Sequence, residues 1–157
     1  MAAIALANRG SRRHHPAMDT TSDRLEARLT DDPVHRGQLA ARIEGFAARH
    51  ALPDTLAVAL SLCLDELIAN AITHGGARSI CVSATKDGLA LHARIEDDGI
   101  AFDPFSDAPP PPLHTPIDER PPGGLGVLLV RRSVTDARYR RENGRNVIIL
   151  RWAWSRA

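Results

Sequence analysis

The sequence lacks most features of membrane, secreted and nucleic-acid-binding proteins. Its 20 basic and 19 acidic residues leave a formal net charge of +1, so no overall field attracts a polyanion or an anionic membrane. Lys86 is the single lysine, which leaves no other lysine for binding phosphate. We find no apolar run that approaches the length of a membrane span, and MAAIALANRG has neither the basic region nor the cleavage site of a signal peptide.

Cysteine is equally scarce. Cys63 and Cys81 lie within apolar runs and lack the spacing of metal ligands. Such a pair is typical of small buried hydrophobic residues in a reducing compartment. We therefore expect a cytoplasmic protein with no membrane partner.

The length of 157 residues, with 43% hydrophobic and 25% charged residues, suits one soluble domain with a real core. Residues 1–22 mix Arg, His, Ser and Thr without periodicity and are predicted to form a flexible tail. Residues 23–157 are predicted to form the domain.

Hydrophobic periodicity predicts the order strand, helix, helix, two strands, loop, helix, two strands. Leu25, Ala27 and Leu29 alternate with polar residues, as in a half-buried strand. Helix starts are predicted at Asp31 or Asp32 before Pro33 and at Pro53–Asp54. The first of these helices runs to His50, and the second ends at Gly75–Gly76. This order predicts an α+β two-layer sandwich, with the helices on one face of a mixed, mostly antiparallel sheet.

Two hairpins and a proline-rich loop complete the pattern. SICVSAT and LALHARIE are joined by Lys86–Asp87–Gly88, and the last hairpin turns at Asn143–Gly144. Eight of the eleven prolines lie between Pro104 and Pro122. A loop of that length in a compact domain is functional or disordered, and we predict that 104–122 is a lid.

The segment CLDELIANAITHGG, residues 63–76, places Glu66, Asn70 and His74 four residues apart on one helix face. Glu66 and Asn70 fall at the border of an apolar arc, whereas Asp65 points away. A carboxylate there could accept a proton, and an amide oxygen suits Mg²⁺. A structural polar edge explains the same pattern, and taken alone this segment does not decide between the two interpretations.

Two later motifs could contact a ligand. In IEDDGIAFDP, Asp97 could accept a hydrogen bond from an exocyclic amine, and Gly99 would let a flat ring approach the backbone; an ordinary Asp–Gly turn is the alternative. In GGLG, residues 123–126, a helix begins whose amides and dipole could hold phosphate. The segment has no GK[ST] and follows no strand directly, so neither the P-loop nor the dinucleotide fingerprint fits.

Together these motifs carry a family resemblance. ExxxNAxxHG, DxGxxFDP, a proline-rich lid, GGLGxxLVRR and YRRENGRN follow one another over residues 24–152. In this order they resemble the histidine-kinase-like (GHKL) ATPases, and within them the anti-sigma-factor serine/threonine kinases. Ala101 stands where many members have a second glycine.

The resemblance implies a role for each matching residue. Glu66 is the candidate general base and Asn70 the candidate Mg²⁺ ligand. Asp97 would bind the adenine amino group, with Gly99 lining the same pocket. The phosphates of ATP would meet a glycine-rich segment beneath the lid, with a possible γ-phosphate contact from Arg120; the segment's residues are Gly123, Gly124, Leu125 and Gly126.

The resemblance also implies a function. The leading hypothesis is an ATP-dependent serine/threonine kinase that phosphorylates a STAS-domain antagonist on serine and sequesters a sigma factor, with a homodimer as a possible assembly. The alternative is a nucleotide-dependent module that sequesters its partner without phosphoryl transfer. A third hypothesis is a nucleic-acid binder using an arginine cluster in 131–145. It is weaker because Tyr139 is the one aromatic residue among those arginines.

Overall fold

The computed structural model describes residues 23–107 and 125–155. Within them the predicted order of elements is confirmed. The elements are β1 (Arg24–Leu29), α1 (Pro33–Arg49), α2 (Asp54–Thr73), β2 (Ile80–Asp87), β3 (Ala90–Asp97), α3 (Leu125–Ser133), β4 (Asp136–Glu142) and β5 (Arg145–Ala153). The predicted tail, 1–22, lies outside the described residues.

The five strands form one sheet in the order β1-β2-β3-β5-β4. Each neighbouring pair is antiparallel. The α+β class is confirmed, but no parallel pair occurs among the described strands, so "mixed" overstates the sheet. The reason is that β5 lies between β3 and β4, which separates the two strands that run in the same direction.

Alternation along the strands places the hydrophobic core on one face of the sheet. Val82 of β2 is paired with Ile95 of β3, which is paired in turn with Ile148 of β5. These side chains are buried together with residues of the helices, so the helices cover this face, as predicted. Buried helical residues include Leu39, Ile43, Phe46, Leu60, Leu64, Leu67 and Ile68.

The helix ends and hairpin turns largely follow their sequence signals. The Asp32 side chain caps α1 by accepting a hydrogen bond from the Val34 N–H at 2.9 Å. Asn143 and Gly144 both have positive φ, 48° and 76°, as a two-residue hairpin turn requires. The other turn lies one residue later than predicted, after Asp87, because Asp87 still pairs with Ala90.

Two further expectations need correction. Helix α2 has 20 residues and contains an 18-residue window with a mean hydropathy of 1.7, enough by length and composition to cross a membrane, contrary to the expected absence of such a run. A core helix passes the same test, and the arc of α2 that contains Leu60, Leu64 and Ile68 is fully buried in this fold. Cys63 is buried as expected, whereas Cys81 is only partly buried.

Candidate active site

The polar row of α2 lies beside its buried arc. Glu66 and Asn70 are half-buried, and Asp65 is exposed, because 100° per residue turns Asp65 away from the core. The side chains of Glu66 and Asn70 form no hydrogen bond to any residue in the described part of the chain. Both side chains are therefore held by the helix and by packing, with their polar atoms available to a ligand.

The two positions that follow α2, Gly75 and Gly76, require glycine for different reasons. A Cβ at Gly75 would lie 2.6 Å from the Ala71 carbonyl oxygen, and Gly76 has a φ of +63°, the left-handed conformation that favours glycine after a helix. Both the His74 and the Gly75 N–H donate to the Asn70 carbonyl, at 2.9 and 3.1 Å. His74 is the C-cap residue.

Gly75 also brings the end of α2 against the loop that follows β3. The Ile100 N–H donates to the Gly75 carbonyl at 2.9 Å, and a Cβ at Gly99 would lie 2.7 Å from that same oxygen. No side chain fits between the two backbones. This contact places Asn70 and Asp97 around one small cavity.

Asp97 is a buried acid whose two oxygens are used differently. The residue is 3% exposed. Oδ1 accepts hydrogen bonds from the Gly99 N–H at 2.9 Å and from Asn146 Nδ2 at 2.8 Å. Oδ2 has no hydrogen-bond partner in residues 23–107 and 125–155. A buried carboxylate needs partners, so the second oxygen is an acceptor ready for a donor from outside the chain.

The cavity beside Asp97 is small. It holds about 20 Å³ and is lined by Leu67, Asn70, Ala71, Gly75, Asp97, Ile100, Phe102, Pro104, Asn146 and Ile148. That volume fits one water molecule, so a larger ligand requires residues that line the cavity to move apart. A larger hollow of about 500 Å³ lies on the opposite face of the sheet, against Arg94 and Glu96, and contains none of the predicted site residues.

The first turn of α3 meets Glu66. A Cβ on Gly126 would overlap the Glu66 carboxylate, so only glycine admits that side chain here. Leu125, the first residue of α3, is exposed. The structure thus brings Glu66 to Gly126 and Asn70 to Asp97, whereas Gly99 is hydrogen-bonded to Asp97 but does not line the cavity, contrary to the prediction. The other predicted phosphate contacts, Arg120, Gly123 and Gly124, lie outside the described residues, as does the lid beyond residue 107.

Comparison with known proteins decides the family. The sequence-family model of the histidine kinase-like ATPase domain matches residues 17–152 of this chain. The chain belongs to this family.

Two curated relatives of this ATPase domain are kinases by name. The chain is 32% identical over 114 residues to the serine/threonine-protein kinase BtrW of Bordetella bronchiseptica, covering 69% of this chain and 78% of the relative. It is 24% identical over 143 residues to the serine-protein kinase RsbW of Bacillus subtilis, covering 86% and 89%. Both relatives are, by name, protein kinases that act on serine or on serine and threonine.

A solved structure shares the fold. The RsbU and RsbW domains of a Mycobacterium tuberculosis protein match with a TM-score of 0.57 and 16% identity, over 83% of this chain. The chain spans 31% of that longer polypeptide. At this identity the similarity supports the ATPase-domain fold alone.

Two residues of the ATPase domain that touch this site were missed by the sequence reasoning. Asn146 is 4% exposed and bonded to Asp97, and Arg141 Nη1 donates to the Gly99 carbonyl at 2.9 Å. The alternation of residues along β5 contained a signal for Asn146. Asn146 stands in the same inward phase as Ile148, Leu150 and Trp152, and a polar residue at an inward position must have buried partners.

Four of the six arginines in the 131–145 cluster have ion-pair or hydrogen-bond partners. Arg138, Arg140 and Arg145 form ion pairs with Asp136, Glu142 and Glu96 at 2.7, 2.8 and 2.9 Å. Arg141 is used within the site. These four guanidinium groups offer little net charge to a phosphate backbone because they have partners, whereas Arg131 and Arg132 of α3 are exposed.

Cys63 lies close to the site without a nucleophilic role. Burial raises the pKa of its thiol to about 11, the charge of Glu66 adds to the rise, and the Ser133 hydroxyl opposes it. At neutral pH this thiol is therefore protonated, and the thiolate is the nucleophilic form.

Proposed function

We propose that this protein is an ATP-dependent serine/threonine protein kinase of the anti-sigma-factor type. It phosphorylates a serine of a STAS-domain antagonist and sequesters a sigma factor, and so regulates transcription. The family and the names of the two relatives support the kinase class, and the finer assignment of partner and substrate is our inference. The observation that carries the proposal is the contact of Glu66 with the first turn of α3, at Gly126.

ATP is the proposed phosphoryl donor, and the chemistry around Asp97 supports it. The free Oδ2 of Asp97 would accept the adenine amino group, and the close packing of Gly99 on the Gly75 backbone would hold the loop beside that oxygen. The phosphates would bind at the start of α3, where unpaired N–H groups and the helix dipole favour anions. The residues proposed there are Gly123, Gly124, Leu125 and Gly126, with Arg120 at the γ-phosphate.

Mg²⁺ is the proposed cofactor, held by Asn70 and by the nucleotide phosphates. The described residues contain no group of three or more His, Cys, Asp or Glu side chains able to hold a metal ion. A single amide oxygen fits Mg²⁺, which retains several waters and binds through few protein ligands together with substrate phosphates. When bound, the ion supplies positive charge to the phosphoryl group.

Glu66 is the proposed general base. Its carboxylate has no hydrogen-bond partner among the described residues, so it is free to accept the proton of a serine hydroxyl. It lies beside the helix end at which the phosphates would bind. A base within reach of both the acceptor and the transferred group is the arrangement that phosphoryl transfer requires.

The alternative is a nucleotide-dependent module that sequesters a regulatory partner without phosphoryl transfer. Such a module needs the Asp97 pocket but not a base. The observed position of the Glu66 carboxylate requires a glycine at position 126. This contact favours the enzyme, because a module that only binds its partner does not need a base at that place.

We infer a cytoplasmic location from the two free cysteines, Cys63 and Cys81, since free thiols suit a reducing compartment. The proposed partners are a STAS-domain antagonist, a sigma factor and, as a possible assembly, a second copy of the chain. We propose neither membrane nor direct nucleic-acid binding.

The test is incubation with labelled ATP, Mg²⁺ and the STAS-domain protein encoded nearest in the genome. We expect label on a serine of that protein. Tight ATP binding with capture of the partner but no label on it would favour the sequestering module. Absence of ATP binding would overturn both.

A further inference from the structure

Buried Asn146 is the centre of a hydrogen-bond network that joins β3, β4 and β5, in which Asp97 is also buried, Tyr139 is half-buried and Arg141 is exposed. Its Nδ2 group donates to Asp97 Oδ1 and to the Ile100 carbonyl, both at 2.8 Å. Its Oδ1 accepts from the Tyr139 hydroxyl at 2.9 Å and from Arg141 Nη1 at 2.7 Å. Both N–H donors of the amide are thereby used.

The neighbours of Asn146 allow only one orientation of its amide. On one side lie a carboxylate and a carbonyl, which accept. On the other lie the Arg141 guanidinium, which can only donate, and the Tyr139 hydroxyl. A flipped amide would set its N–H groups against Arg141 and its oxygen against Asp97, so the network fixes which atom faces the acid.

This orientation has a consequence for Asp97. With Oδ1 held by Asn146 and by the Gly99 N–H, the carboxylate cannot rotate, and Oδ2 keeps a set direction at the cavity. A fixed acceptor distinguishes a base that offers an N–H donor from one that offers a carbonyl oxygen, because the second leaves a buried acceptor unpaired.

We propose that Asn146 is a positioning residue that sets the base selectivity of this site, in favour of purine nucleotides with an amino group at C6. Arg141 and Tyr139 act through it by fixing its amide. The inference rests on the proposed nucleotide site, but it holds equally for a kinase and for a sequestering module, since it concerns binding and not phosphoryl transfer.

The test compares the dissociation constants of ATP and inosine triphosphate, which carries a carbonyl oxygen in place of the amino group. With Mg²⁺ at pH 7.5, we expect the wild type to prefer ATP by roughly tenfold or more, the scale of one hydrogen bond to a charged group. Asn146→Asp keeps the size of the side chain but replaces its donors with oxygen. This variant should bring the ratio of the dissociation constants of inosine triphosphate and ATP close to one.

Tyr139→Phe is the second variant, because it removes one donor to the Asn146 oxygen and leaves the ring and the buried acid in place. It should lower the ratio by a smaller factor even if Asn146→Asp does not fold. Arg138→Gln is the matched control on the same strand, since the Arg138 side chain is 75% exposed, and it should keep the wild-type ratio.

The outcomes separate this inference from the proposed function. Failure of the wild type to bind either nucleotide would overturn the nucleotide site itself. The wild type could prefer ATP while the folded Asn146→Asp and Tyr139→Phe proteins keep the same ratio of dissociation constants for the two nucleotides. That result would overturn the positioning role alone. A purely structural Asn146 would change the melting temperature without moving the ratio.

Discussion

At the scale of single residues, the site depends on Asp97 presenting one oxygen to a ligand. Asp97→Asn keeps the size of this side chain but removes its charge and can turn an N–H group toward the cavity. We expect ATP affinity to fall by roughly 1–3 kcal/mol, the scale for a charge-assisted hydrogen bond. Isothermal titration calorimetry measures this, and unchanged affinity in a folded variant would remove Asp97 from the adenine contact.

Two glycines at the site should respond differently to substitution by alanine. At Gly126 the new methyl group meets the end of the flexible Glu66 side chain, which can move aside. Gly126→Ala should therefore fold normally. Its phosphoryl transfer should be at least tenfold slower than that of the wild type, because displacing a base costs less than removing one, which costs roughly 10²–10⁴-fold. At Gly99 the methyl group meets the Gly75 backbone oxygen at 2.7 Å, which cannot move independently.

Gly99→Ala should accordingly lower the melting temperature and the ATP affinity together. Gly37→Ala is the control, because nothing lies within 4 Å of the added methyl group on α1, and alanine favours a helix by about 1 kcal/mol over glycine. Thermal melts and rate measurements on the three variants check the contrast. A Gly126→Ala protein with the wild-type rate would show that the Glu66 position does not matter.

At the scale of elements, Asp98 ties the segment before β2 to the end of β3. The Ser79 and Arg78 N–H groups donate to its Oδ1 at 2.9 and 2.8 Å, and these bonds hold the pKa of the carboxyl below its usual 3.8. A carboxyl with a lowered pKa in the folded state stabilises the fold above its unfolded pKa. That contribution is lost as the pH falls through the folded pKa.

Asp98→Ala should therefore destabilise the protein by about 1 kcal/mol at pH 7, a value at the low end because the group is exposed to solvent. The difference from the wild type should shrink as the pH is lowered below 3.8. Thermal melts at pH 7 and pH 3 measure both. Asp31→Ala, at an exposed acid with no hydrogen bond to the described residues, is the control. An equal difference at both pH values would rule out the carboxylate as the cause.

The elements were largely predictable because their signals are local. Asn143–Gly144 is a turn by its own conformational preference, and alternation identified each strand. The signals that failed depend on distant partners. The turn after Asp87 was set by the pairing of Asp87 with Ala90, and the strand directions followed from β5 entering between β3 and β4. The apolar character of α2 is explained by what it packs against, which hydropathy alone does not report.

At the scale of the whole molecule, the two faces of the sheet have separate tasks. One face packs against the helices and ends in the Asp97–Asn146 pair. The other carries charges that neutralise one another, with Arg94 paired to Glu96 at 2.8 Å and to Glu142 at 3.5 Å. The candidate site therefore lies at one end of the covered face, where α2, β3 and the start of α3 meet.

Prediction of the site was limited by the same distinction between local and distant contacts. Motifs predicted Glu66, Asn70, Asp97, Gly99 and Gly126 as site residues, and the fold places Glu66 beside Gly126 and Asn70 beside Asp97. Asn146 and Arg141 were missed because their importance lies in hydrogen bonds to residues that are 49 and 42 positions away. Their partners are visible only once β3, β4 and β5 are paired.

The most direct test of the proposed kinase compares Glu66→Gln with the wild type and with Asp65→Asn, a control at the exposed acid on the same helix. Glu66→Gln keeps the size of the side chain and removes the base. Calorimetry should give wild-type ATP affinity for all three proteins, whereas phosphoryl transfer to the STAS-domain protein should fall by roughly 10²–10⁴-fold in Glu66→Gln alone. Equal transfer rates in the three proteins, or no transfer by the wild type, would contradict the assignment of Glu66 as the catalytic base of a kinase.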